Sequence, residues 1–235
     1  MDDERRASIE AALRRYRETV TQHSVSLLHT LSPRDLLDDD VRDKVIRRTG
    51  MDGLGGRPEV NLKGREEYFA AIRTRIAELN VEVAEFPPAD LAYLCTLTDG
   101  ITGPGLPYER VSRQIEFLSP FEEGGFGNSV GVPVRYDEDG DEELSEKYDE
   151  LTWIWTDWEV AVAFQFGGAP FTGGSLALYC RKDGKEWKWR YGIYDDDWCS
   201  DAYDSVEEFL DYYAHFREQT EEEVRKDVNR GGLPR

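Results

Sequence analysis

Residues 151–194 read LTWIWTDWEVAVAFQFGGAPFTGGSLALYCRKDGKEWKWRYGIY, and the rhythm of this stretch decides the fold. It holds five of the chain's six tryptophans. Its apolar residues alternate, the period of a β-strand, in which successive side chains point to opposite faces. Trp153 and Trp155 share one face of a first strand. Val160, Val162, Phe164 and Phe166 share one face of a second, with Ala161, Ala163 and Gln165 opposite, so this strand buries at least one full face. Leu176, Leu178 and Cys180 alternate with Ala177 and Tyr179 in a third, and Trp187, Trp189 and Tyr191 alternate with Lys188 and Arg190 in a fourth. Asp183-Gly184 falls between the last two, where a tight hairpin needs positive φ. Thr156-Asp157-Trp158-Glu159 reads as the first turn. The expectation is an antiparallel meander with helices, edge strands and loops around it.

On both flanks the period changes from strand to helix. Upstream, Phe69, Ile72, Ile76 and Leu79 recur at spacings of three and four from Arg65 onward, which predicts a core-facing helix. In FPPADLAYLCTLTDGITGPG (86–105), Pro88 suits the first turn of a helix, and Leu91, Leu94, Cys95 and Thr98 form its apolar face. Gly100 reads as its left-handed exit. Ile115–Leu118 and Val130–Arg135 read as edge strands at most, because Pro120, Pro133 and the glycines between them interrupt pairing. Downstream, Ser205 can cap a helix with Glu208 three residues on, and Val206, Phe209, Leu210, Tyr213 and Phe216 face one way. The expected fold class is therefore α+β, with the sheet in one block and helices before and after it.

Farther out, Ile9, Leu13, Tyr16, Val20, Leu27 and Leu31 give residues 1–49 a helical segment, either one long amphipathic helix or two with a break at His23-Ser24. A further helix starts at Ser32-Pro33 and runs to about Arg48, ended by Gly50. Residues 50–64, rich in glycine, read as a linker. Gly53–Gly56 is followed by no Gly-Lys-Ser/Thr, so no phosphate-cradling loop is encoded. Residues 65–217 form the α+β domain. Residues 218–235 read as an acidic tail that continues the last helix, frays and becomes disordered.

The bulk numbers narrow function. At 235 residues the chain holds one sizeable domain or a domain with an appendage, and 12% aromatics indicate a packed core. The three cysteines, Cys95, Cys180 and Cys199, are widely spaced without a CxxC pair, so neither a disulfide framework nor a zinc site is encoded. No run is long and apolar enough to span a membrane, and the first residues lack the core of a secretory signal. A cytoplasmic protein is expected. The net charge of −20 arises outside residues 1–48, whose acidic and basic residues balance. Such a field disfavours nucleic acid and acidic membrane surfaces and steers in a basic protein.

Two of the passages above resemble a known family. FPPADLAYLCTLTDGITGPG is similar to the proline-led helix and Asn/Asp-Gly turn that opens SUKH-superfamily domains, and YDSVEEFLDYYAHF (203–216) is similar to the Ser-Phe-Glu-Glu-Phe-Leu helix that closes them. Val206 stands where an aromatic is usual, and Phe86-Pro87 where leucine is common. The resemblance covers Arg65 to Phe216. It implies an antiparallel sheet between the two helices and a non-catalytic, protein-binding role, as in fungal Smi/Knr cell-wall regulators or in bacterial immunity proteins that neutralise toxins.

Catalytic constellations are thin. No GxSxG elbow is present, and His23 and His29 do not share a helix face. Asp137, Asp139 and Asp141 resemble a calcium loop, but glycine falls at the fourth position and Tyr148 at the twelfth, so 137–150 reads as a solvated acidic loop. One enzyme reading stays open as an alternative: divalent-metal hydrolysis by Asp195, Asp196 and Asp197 with Asp157 or Glu159, which requires that stretch to be a loop. Ligand stacking on Trp153, Trp158 or Trp198 is a further alternative. The preferred reading is a regulatory or scaffold protein that needs no cofactor or metal and binds a partner with a basic surface. Asp195, Asp196, Asp197, Trp198, Asp157 and Trp158 are the candidate contacts. Trp198 beside three aspartates supplies the apolar anchor that charge alone lacks. An immunity protein against a basic toxin domain is the alternative within the same family.

Overall fold

The computed structural model describes residues 1–30, 60–105, 114–117, 160–167, 174–195 and 198–229. In chain order its elements are α1 (Asp3–Thr30), α2 (Leu62–Leu79), α3 (Ala89–Leu97), β1 (Gly100–Thr102), β2 (Gln114–Glu116), β3 (Val160–Phe166), β4 (Gly174–Asp183), β5 (Glu186–Asp195), β6 (Trp198–Cys199), α4 (Val206–Tyr213) and α5 (Glu221–Asn229). The fold class is α+β. β3, β4, β5 and β6 form an antiparallel meander in sequence order, and β1 and β2 pair separately. Several expected features lie outside the described residues: the helix from Ser32, most of the linker, the strand at Val130–Arg135, the acidic loop 137–150, the Trp153 strand and the turn 156–159.

Register explains why the meander is a floor for helices. Val162 pairs with Cys180, Phe164 with Leu178 and Phe166 with Leu176, and across β4 these continue to Trp189, Tyr191 and Ile193. All of these are buried in one core with Phe69, Ile72, Leu91, Leu94, Phe209 and Leu210 of the helices. Phe86, just before α3, is the hub of this packing. Its ring meets Phe164 at 5.6 Å, Trp189 at 5.4 Å and Phe69 at 5.8 Å, all edge-on. Such aromatic pairs contribute about 0.5–1.5 kcal/mol each beyond their area. Trp189 Nε1 donates to Glu85 O at 2.9 Å, which satisfies the one polar atom of the buried indole.

Four local expectations change. Val160 does not share the face of Val162, because the register shifts between them. Such a bulge adds one residue and turns the side chain over, so Val160 packs with Ala163, Ala177 and Tyr179 on the opposite face. The β4–β5 loop is Gly184-Lys185, closed by Asp183 opposite Glu186, with φ of 63° at Gly184. Gly100 is no helix exit: α3 ends at Thr98 in extended backbone and Gly100 already pairs with Glu116 in β1. The strand at Ile115 thus joins β1 and not the meander.

Beyond the last core helix the chain does not simply continue. Arg217 takes a φ of 50°, and a new helix, α5, follows Thr220. There Glu223 N–H donates to Thr220 Oγ1 at 3.2 Å and Thr220 N–H to Glu223 Oε2 at 2.7 Å, a reciprocal capping box. Val224 of α5 is buried. At the other end, α1 runs unbroken through His23 and Ser24. Its residues Ile9, Leu13, Tyr16 and Val20 belong to the same core as the meander. Each such buried side chain stabilises by about 1.5–3 kcal/mol. The described part of the N-terminal segment is thereby an integral layer, resting on α3, α4 and α5. It is tied by Tyr16 to the backbone of Thr102, by Ser24 Oγ to Gly105 O at 3.1 Å and by His23 Nε2 at 3.0 Å from Gln219 O.

Candidate partner-binding site

β5 and β6 form an antiparallel pair that begins at the acidic run. Asp195 closes β5 and pairs with Trp198, and Tyr194 pairs with Cys199 in β6. Of the six candidate contacts the structure therefore brings Asp195 and Trp198 together as backbone partners. Asp196, Asp197, Asp157 and Trp158, with Glu159, lie outside the described residues.

What holds this hairpin in place is the return segment that runs back along β5. Ser200 N–H donates to Ile193 O at 3.0 Å, and Ile193 N–H donates to Ser200 Oγ at 2.8 Å. Two residues back along β5, Tyr191 exchanges backbone hydrogen bonds of 3.0 and 2.7 Å with Tyr203. Gly192, between those anchors, is the close-approach point: a Cβ there would meet Tyr179 Oη at 2.8 Å, Ser200 Oγ at 3.1 Å and Asp201 O at 3.3 Å. A residue without a side chain is thus what lets Tyr179 and the return segment lie over β5 together.

The return segment and the helix after it also carry acidic residues outside the six candidate contacts. Asp201 and Asp204 are exposed, as are Glu208 and Asp211 of α4. Their only sequence signal is the continued density of aspartate after Trp198, and without the register of Tyr203 on Tyr191 nothing places them beside β5. Part of this charge is offset internally. Arg190, buried at the guanidinium, lies 2.5 Å by Nε from Asp204 Oδ1 and 3.3 Å by Nη2 from Asp183 Oδ2. Nε has no hydrogen-bond partner, so the close approach to Asp204 is an off-axis ion pair. Arg15 of α1 lies 3.4 Å from Asp211.

Among the described residues no group of three or more His, Cys, Asp or Glu side chains is placed to hold a metal ion. Cys95 and Cys180 are buried free thiols, pushed up by burial to about 12 and about 11, so neither is a nucleophile at neutral pH. His215 pairs with Glu218 at 2.5 Å on an exposed turn. No described helix is long and apolar enough to cross a membrane. In comparisons with known proteins the chain matches no family model, no curated protein and no solved structure.

Proposed function

We propose that this chain is a non-catalytic protein-binding domain of the SUKH type that engages a basic partner through the acidic, tryptophan-bearing hairpin at Asp195–Trp198. The observation that carries the reading is the meeting of the two motif helices. Leu91, Leu94 and Cys95 of the proline-led helix and Val206, Phe209 and Leu210 of the Ser205-capped helix share one core with the antiparallel meander between them. That is the arrangement the family resemblance implies. The net charge of −20 supports a basic partner, since complementary fields raise the encounter rate and make it salt-sensitive.

α1 is part of the core in either role, regulatory or immunity. The partner decides between them. Affinity capture with the intact chain, repeated with Asp195, Asp196 and Asp197 changed to Asn and Trp198 to Ala, tests the reading. A specific partner lost in the variant and weakened by salt supports it. A toxin domain as that partner, with growth protected by the wild-type chain alone, selects the immunity role. Recovery of the same partner undiminished by the variant at raised salt would overturn the acidic-hairpin site.

A further inference from the structure

The first turns of α3 and α4 each bring a carboxylate to one junction, and a single arginine from α1 serves both. Arg5 Nη1 donates to Glu207 Oε1 at 2.6 Å, and Arg5 Nη2 lies 3.5 Å from Asp90 Oδ2. Ser8 Oγ donates to the same Glu207 oxygen at 2.8 Å. Tyr191 Oη donates to Asp90 Oδ1 at 2.5 Å, and Leu91 N–H donates to that oxygen at 2.9 Å. Burial, and then the Asp90 carboxylate, hold the Tyr191 phenol well above its usual value, so it is a permanent donor here.

Three features make this junction a receptor and not just an ion pair. The carboxylates are built in: their side chains are 15% and 11% exposed, while that of Arg5 is 39% exposed. Glu207 Oε2 is buried and has no hydrogen-bond partner, so the site retains an acceptor that Arg5 leaves unused. Arg5 itself lies in the first turn of α1, before the apolar stripe begins at Ile9. Helix ends open at far lower free energy than helix cores. Two carboxylates on separate helices suit a planar, multi-donor guanidinium better than a compact ammonium.

We propose that the Asp90–Glu207 junction is a guanidinium seat. Arg5 is its resident occupant, and an arginine of a basic partner takes the same place when the first turn of α1 lifts. The seat stands on its own geometry and is separate from the Asp195–Trp198 hairpin, so its failure leaves the hairpin reading intact, and the reverse.

Chemical rescue tests it in the full chain. In Arg5→Ala, amide exchange over residues 6–12 should quicken by about tenfold or more, because two largely buried carboxylates lose their cationic partner. Methylguanidinium at millimolar concentration should restore protection saturably, and methylammonium at matched ionic strength should not. The restoration should vanish in Arg5→Ala/Glu207→Gln. Where the alanine variant is unfolded, Arg5→Gln, which keeps a donor, takes its place. In the wild-type chain, hexa-arginine should quicken exchange in the first turns of α1 while hexa-lysine leaves it unchanged. No saturable, guanidinium-selective rescue would overturn the seat. Rescue without an effect of hexa-arginine on the wild-type chain would overturn displacement by a partner.

Discussion

On the helix-facing side of the meander, Phe164 meets Phe86 and Trp189 edge-on at 5.6 and 5.8 Å, whereas on the opposite side Ala163 and Ala177 surround one large side chain, Tyr179. Both faces are buried. The first is filled by large rings that interlock with helices, and the second by small residues that let a strand-like segment, residues 200–203, lie close to β5. Complementary shape therefore takes two forms on one sheet. The helix face is sensitive to lost volume, and the hairpin face to added volume.

The helix face should show itself at alkaline pH. Cys180 on the helix face is pushed up by burial to about 11, and Cys95 and Tyr68 of the helices above it to about 12. Tyr16 and Tyr191 are raised as well, with burial the largest cause in each. Acids whose folded pKa exceeds the unfolded value stay protonated in the fold, so the unfolded chain is the first to release protons as pH rises. Their contribution is complete below the ordinary thiol value of 9.0 and is lost progressively as pH climbs toward about 12. Denaturant midpoints across that range should fall steeply. A flat profile would mean that the helix face is looser than its packing indicates.

Truncating a ring on that face comes next. Phe164→Ala should lower unfolding free energy by about 3–5 kcal/mol, the range for a buried aromatic reduced to alanine. On the hairpin face the informative change runs the other way. Gly192→Ala places a methyl 2.8 Å from Tyr179 Oη and should cost about 1–3 kcal/mol by overpacking. Tyr179→Phe removes the atom that is hit first, so the double variant should lose less than the sum of the single ones. Strict additivity in equilibrium denaturation would show that Ser200 and Asp201 bear the clash instead.

Much of this architecture is legible in the sequence because it rests on periodicity. Alternation at Val162–Phe166 and Leu176–Cys180, and the three-and-four spacing of Phe69–Leu79, survive any local context. Features created by register do not. The bulge that turns Val160 over leaves no residue signature, and the separate β1–β2 pair depends on Phe117 and Ile115 reaching back to Asp99 and Ile101. The break at Arg217 has little apolar signature because α5 has few apolar residues, although Thr220 and Glu223 stand at capping-box spacing. At the candidate site the sequence places Asp195 and Trp198 in one acidic cluster. Their pairing, and the approach of Asp201 and Asp204, follow from Ser200 and Tyr203 docking on β5, a long-range choice invisible one segment at a time. The junction of Arg5, Asp90 and Glu207 is assembled from three separate helices and was unreadable for the same reason.

The smallest expected effect concerns Arg190, a charged side chain buried beside the hairpin. Its side chain is 5% exposed, but those of its partners Asp204 and Asp183 are 66% and 49% exposed, so water already screens most of what the ion pairs contribute. Arg190→Met keeps the packed stem and removes the charge. The loss should be about 1 kcal/mol or less, as for pairs with solvated partners, and well below that of Gly192→Ala. The acid limb gives an independent check. Asp183 is held below its ordinary value chiefly by its hydrogen bond and charge attraction to Lys188, with Arg190 a lesser contributor. A carboxylate with a depressed folded pKa stabilises above its unfolded value of 3.8 and loses that contribution as pH falls through the folded one. Lys188→Met should therefore move the Asp183 titration upward, followed by carboxyl NMR, further than Arg190→Met does. The reverse order would show Arg190 to be the main counter-charge on the hairpin face, and the tether between β5 and Asp204 to be correspondingly weaker.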